Sequence, residues 1–235
     1  MGMRKNATCY MCPERATTRE HAPPQCFFPE GSRANLITVP SCPDHNSRNS
    51  LDVEYTRNVI CTQHGVNGAA SAVFETAKRS FQHSPDLTAR TFRTMRPFGD
   101  GGSFRVDLAR HQKVMRALAF AIYFRDTGHR HEGDWRIFTS SFLYADSLNH
   151  GRPDPWMPLR NVLESGEFTP KAVMQPEVFK YGVLEMDGGR ILYRFEFYGA
   201  VIVHAWVIPY RLNPRIYVPA GRGHFGTVWE LGEGL

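Results

Sequence analysis

The chain has 235 residues, 42% hydrophobic and 22% charged, a composition that suits a globular protein with one good-sized domain or a small domain plus a larger one. Its longest apolar run, "ALAFAIYF" (Ala117 to Phe124), falls far short of the ~20 residues needed to span a bilayer. "MGMRKNATCYMCPE" at the start has no apolar core for a signal peptide, so a cytoplasmic protein without a membrane partner is expected. The net charge of +5 is uneven: about +1 over residues 1–62, about +5 over 63–128 and about −1 beyond. Five cysteines in such a setting point to metal ligation and plain burial rather than to a disulfide framework.

Residues 1–62 read as one small module and 63–235 as an α+β C-terminal region. The module holds a Cys-x-x-Cys pair, a loop with Pro23 and Pro24, a short apolar strand "NLITV" (Asn35 to Val39), a Cys-x-x-His pair and a helix over "LDVEYTRNVICTQ". Basic helices are expected over 63–128: "AASAVFETAKRSFQ", then "SPDLTARTFRTM" with Ser84 as N-cap and Pro85 at the first helical position. "RPFGDGGS" reads as a turn-rich joint. The longest helix is expected over "VDLARHQKVMRALAFAIYFRD", with Leu108, Met115, Leu118, Ala119 and Ile122 on one core-facing stripe. A β-meander is expected over 129–235. Its strands are "VFKYGVLEM", "RILYRFEFY" and "AVIVHAWVIPY", the first two joined at Asp187 to Gly189, with "WRIFTSSFLY" as a further candidate.

Cys9, Cys12, Cys42 and His45 form two knuckles about thirty residues apart, a spacing suited to a closed tetrahedral structural Zn2+ site. A segment this small builds little core alone, and a metal staple accounts for its order. Cys26 and Cys61 lack such spacing and read as small buried hydrophobes. Between the knuckles lies "TTREHAPPQCFFP", and Asn46 follows the second knuckle directly, with Glu54 eight residues further on. Glu20, His21, Asn46 and Glu54 thus form one candidate cluster, oxygen donors for a hard cation plus one imidazole. The polar group at His129, His131, Glu132 and Asp134 is irregularly spaced and reads as an exposed loop. His204 reads as a strand histidine facing a polar partner.

"REHAPP" followed by "LITVPSCPDHN" and "DVEY" resembles the HNH endonucleases, ββα-metal nucleases, in a form with embedded zinc knuckles; the likeness covers about residues 8–57. More weakly, "RVDLARHQKVMRALAFAIYFRDTG" and "RFEFYG" resemble the tail of small bacterial HNH proteins. The resemblance implies an N-terminal ββα-metal module with zinc knuckles, followed by a helical segment and a small antiparallel β-sheet. It implies a hydrolase cutting phosphodiester bonds of DNA, with RNA left open, and with His21 as general base. Glu20 would be a ligand of a catalytic Mg2+ or Mn2+, Asn46 would orient His21 or support the metal loop, and Glu54 would stand where the family has its final histidine, with Asp52 competing for that place. The second knuckle, usually Cys-x-x-Cys, ends here in His45.

Imidazole can accept a water proton near neutral pH, and a carboxylate-bound cation can stabilise charge on a phosphodiester. On a nuclease, Lys78, Arg79, Arg90, Arg93, Arg110 and Lys113 would hold the nucleic-acid backbone, since guanidinium groups suit phosphate oxygens. Charge alone favours the plainer reading, a solvated helical surface. The alternative function is a non-catalytic zinc-knuckle module that binds nucleic acid or protein.

Overall fold

A computed structural model describes residues 7–47, 50–83, 85–98, 101–142, 157–186 and 190–208. Ser84 and the Asp187–Gly189 turn lie outside these, as do the ends of the two strand candidates that run to Tyr144 and Tyr210. The fold is α+β. In chain order come β1 (Thr18–His21), β2 (Thr38–Ser41), α1 (Pro43–Ser47), α2 (Ser50–Cys61), α3 (Gly68–His83) and α4 (Pro85–Phe92). Then follow β3 (Arg96–Phe98), β4 (Gly101–Ser103), α5 (Leu108–Thr127), β5 (Asp134–Thr139), α6 (Met157–Glu164), β6 (Thr169–Lys171), β7 (Phe179–Met186), β8 (Arg190–Phe197) and β9 (Val201–Ile208).

β1 and β2 form an antiparallel pair in which Glu20 lies opposite Val39 and His21 opposite Thr38. The strand expected at Asn35 to Val39 pairs only from Thr38. Asn35 has a left-handed φ of 55°, a conformation asparagine tolerates and one that ends an extended run. The turn-rich joint at Arg96 to Ser103 is a small hairpin, β3 against β4.

α5 is bounded by its own sequence. Asp107 caps its start by accepting from the Arg110 N–H at 3.3 Å, and Gly128, at φ 74°, ends it with its N–H on the Phe124 carbonyl. Met115, Leu118, Ala119 and Ile122 are buried along the expected stripe. Each of the larger ones contributes about 1.5–3 kcal/mol of burial.

The C-terminal sheet is antiparallel throughout, in the order β5-β9-β8-β7-β6. Period-two alternation places Trp135, Ile137, Tyr181, Tyr193, Phe195, Val203 and Ala205 in the same buried cluster as the α5 stripe. Phe138, Leu192 and Leu163 form a smaller cluster with the α6 side of the sheet. The main cluster also takes in Cys9, Tyr10, Phe27, Phe28 and Val39, so apolar burial continues from the N-terminal knuckle to the sheet. Phe27 meets Phe197 edge to face at 5.9 Å, and the Tyr198 hydroxyl donates to the Phe27 carbonyl at 2.7 Å. No helix among the described residues is long and apolar enough to cross a membrane.

His204 departs from expectation. It is fully buried on β9 with its ring 5.8 Å from Phe168, and neither ring nitrogen has a hydrogen-bond partner among the described residues. Burial, with the charge of Arg194 second, pushes its pKa down to about 4, so the ring is a neutral packing group.

Candidate metal centre and adjoining cleft

The knuckle loop is tied at its base by the Cys9 N–H donating to the Glu14 carbonyl, and the Tyr10 N–H reaches the Pro40 carbonyl on β2. β2 then delivers Cys42 to the start of α1, where the His45 and Asn46 N–H groups both donate to the Cys42 carbonyl. One ligand atom from each of Cys9, Cys12, Cys42 and His45 lies within 4.8 Å of every other. Cys12 Sγ and Cys42 Sγ are 3.8 Å apart, and His45 Nδ1 is 3.6 Å from Cys9 Sγ and 3.1 Å from Cys42 Sγ. A tetrahedral zinc ion with ordinary bond lengths sets sulfur–sulfur edges of about 3.8 Å and sulfur–nitrogen edges of about 3.5 Å. The donors therefore fit a metal ion such as zinc.

Burial raises the Cys9 pKa, but backbone N–H groups, Met11 first, outweigh it, and the net shift is downward. At Cys12 burial prevails and pushes the thiol up to about 11. A divalent cation would offset that cost by holding both as thiolates.

Glu20, His21 and Asn46 meet at one open cleft beside this centre. Tyr10, Pro24, His45 and Val53 complete its near side, and Val114, Ala117, Leu118 and Ala121 of α5 wall the other. Asn46 is anchored across the hairpin by its Nδ2–H donating to the Arg19 carbonyl at 3.4 Å. Glu20 and His21, adjacent on β1, both border the cleft at the strand's end.

Glu20 Oε2 is buried with no hydrogen-bond partner among the described residues. Desolvation pushes its pKa up to about 7. A cation in the cleft would relieve both, and one carboxylate with an amide oxygen is a hard donor set. Desolvation, and then the charge of Arg19, lower the His21 pKa below its ordinary value, so the imidazole is neutral at pH 7.

Glu54 is not brought to this cleft. On α2 it is Val53 that lines it, and a helical neighbour is turned about 100° away. Glu54 Oε1 lies 3.5 Å from Arg57 instead. Its competitor Asp52 is held by Arg110 Nε at 2.7 Å and Lys113 Nζ at 2.9 Å. These two cations are therefore engaged within the chain, and Arg110 also stacks on Tyr55 at 4.5 Å. Lys78 is exposed and 3.5 Å from Glu75; Arg79 and Arg93 are exposed; the Arg90 side chain lies outside what the structure describes. In the loop before β5, His131 packs on Tyr123 at 4.8 Å, and Asp134 at the start of β5 lies 3.4 Å from Arg116.

Sequence reasoning missed the α5 wall and the second position of His45. The wall was visible as small and apolar residues at 114, 117, 118 and 121, a single helical face, but the same stripe serves as core. Cys26 and Cys61 are both free thiols, Cys61 buried and Cys26 partly so. No protein-family model matches the chain, and no curated protein or solved structure matches it either.

Proposed function

We propose that the chain is a metal-dependent phosphodiester hydrolase of the HNH type, acting on nucleic acid, with the Cys9, Cys12, Cys42 and His45 centre as its structural zinc. The observation that carries this reading is the meeting of Glu20, His21 and Asn46 at one cleft beside that centre. The antiparallel β1–β2 pair followed by α1 supports a ββα module.

Glu20 and the Asn46 amide oxygen would hold Mg2+ or Mn2+. Mg2+ keeps several waters and needs only one or two carboxylates beside substrate phosphates, so Glu54 is not required. When bound, the ion supplies positive charge to a scissile phosphate and its leaving oxygen. His21, neutral at pH 7, takes the proton from the attacking water and is the general base. The apolar α5 wall limits solvent at the site and strengthens each charge interaction there.

The test is cleavage of plasmid DNA and of an RNA transcript with Mg2+ or Mn2+. His21→Ala should leave the melting curve intact and lower cleavage at least about a hundredfold, the usual worth of a positioned base. Equal cleavage by the two proteins, or none by the wild type with any of these ions, overturns the reading.

A further inference from the structure

His45 occupies two sites at once. It belongs to the knuckle cluster, and it also lines the cleft with Glu20, His21 and Asn46. Its Nδ1 is the atom turned to the sulfurs, 3.1 Å from Cys42 Sγ and 3.6 Å from Cys9 Sγ. Nε2 is the ring nitrogen that the sulfurs leave unengaged. Tyr10, which also lines the cleft, meets the ring edge-on at 6.5 Å and an interplanar angle of 67°, and helps fix its plane.

A metal on Nδ1 requires the neutral imidazole with its proton on Nε2, so metal binding sets the tautomer. It also polarises that N–H. Metal-bound histidines nearly always donate their second N–H to an acceptor. Here no described residue accepts from Nε2, and the His45 side chain is half-buried rather than enclosed.

We propose that His45 is a substrate-binding residue of the cleft, its Nε2–H donating to a non-bridging oxygen of the nucleic-acid phosphate. This rests on the function proposed above and adds a role to a residue read only as a zinc ligand. It accounts for a histidine where a fourth cysteine would serve the metal equally well. With three thiolates and one imidazole the zinc centre carries a net charge of about −1; a fourth thiolate would make it about −2. Cysteine at this position would thus remove a donor and face the phosphate with added negative charge. It is also the cleft's own link to the fold: the ring that contacts substrate is held by the same ion that orders the knuckles.

The test uses the full chain as wild type and as His45→Cys, which keeps four metal ligands. Zinc content and melting temperature establish that the variant is loaded and folded. Binding of a single-stranded oligothymidylate is measured without added Mg2+, and cleavage with it. The variant should hold one zinc yet bind and cleave about ten- to a hundredfold less well, the worth of a charge-assisted donor. A second readout needs no variant. In wild type labelled with 15N-histidine, the His45 Nε2–H resonance should be present and should shift as the oligothymidylate is added. Wild-type binding and cleavage by zinc-loaded His45→Cys, or an Nε2–H resonance unmoved by saturating oligothymidylate, overturns the role of His45 and leaves the nuclease reading standing. A wild type that neither binds nor cleaves removes the nuclease reading itself, and this proposal with it.

Discussion

Arg110 Nε lies 2.7 Å from Asp52 Oδ1, and this contact joins α5 to α2 at the rim of the cleft. Lys113 Nζ takes the other carboxylate oxygen at 2.9 Å, and the Arg110 Nη2 also donates to the Leu51 carbonyl. The residues next along the chain, Val53 and Val114, are both cleft-lining, so the clamp sets how closely the α5 wall approaches α2.

Asp52→Asn should therefore loosen the wall. The Asp52 side chain is 19% exposed and Lys113 is 54% exposed, so solvent screens part of the interaction, and a loss of about 1–2 kcal/mol is expected. Burial acts to raise the Asp52 pKa, but its bonds to Arg110 and Lys113 prevail and lower it. For a carboxylate so lowered, the stabilisation is present above its ordinary pKa and is lost as pH falls through the folded value. Denaturant unfolding should show the variant weaker at pH 7 and equal to wild type at strongly acidic pH. If Arg110 and Lys113 are phosphate contacts, the variant also binds nucleic acid several-fold tighter at low salt.

Removal of the knuckle metal should unfold the N-terminal part. Cys42 is buried between the end of β2 and the start of α1, so loss of its ligand bond releases both. Metal analysis should give one zinc per chain for the wild type and none for Cys42→Ser. The variant should melt at a lower temperature, with a stability loss on the order of several kcal/mol. A metal-free wild type with unchanged melting would show that the cluster has no structural ion.

Gly182 on β7 leaves no room for a side chain. A Cβ built there would stand 2.8 Å from the Cβ of Phe168 and 3.3 Å from the Thr169 carbonyl, where β6 begins. The obstacle is the root of a side chain and a backbone atom, so neither can swing away. Gly182→Ala should cost about 1–3 kcal/mol, read as a lower melting temperature, with zinc content unchanged.

The parts legible in sequence share one property: their signal is local. Knuckle spacing, the Asp107 and Gly128 ends of α5, and the alternation in "RILYRFEFY" each depend on a few neighbouring residues. The nearness of Glu20, His21 and Asn46 was legible for another reason: Asn46 directly follows the second knuckle, which a shared metal would draw back to the first. What was not legible depends on which face of α2 turns inward and on partners tens of residues away. Glu54 and Val53 are equally plausible from helical spacing until α5 packs against α2. Asp52 could not be known as a salt-bridge residue without Arg110, 58 positions later. His204 looked like a polar strand position because alternation cannot tell that Phe168 closes over that face.

Glu20 yields a prediction whose sign distinguishes a site residue from a structural one. Its ordinary pKa of 4.5 is pushed up to about 7 by desolvation, with one carboxylate oxygen buried and unpartnered among the described residues. For an acid raised in this way the folded state prefers the proton. Below about 4.5 both states are protonated and there is no penalty. As pH rises, the unfolded chain ionises first, so the metal-free fold loses stability across this interval, and the loss is complete above about 7. Glu20→Gln removes the ionisable group but keeps the shape. In metal-depleted buffer that spares the zinc, the variant should melt a few degrees above wild type at pH 8 and level with it at pH 4. Adding Mg2+ or Mn2+ at pH 8 should raise the wild-type melting temperature and leave the variant unmoved, because only the carboxylate gains a partner. A Glu20→Gln protein that melts lower than wild type at pH 8 would mean that the carboxylate already has a stabilising partner within the fold.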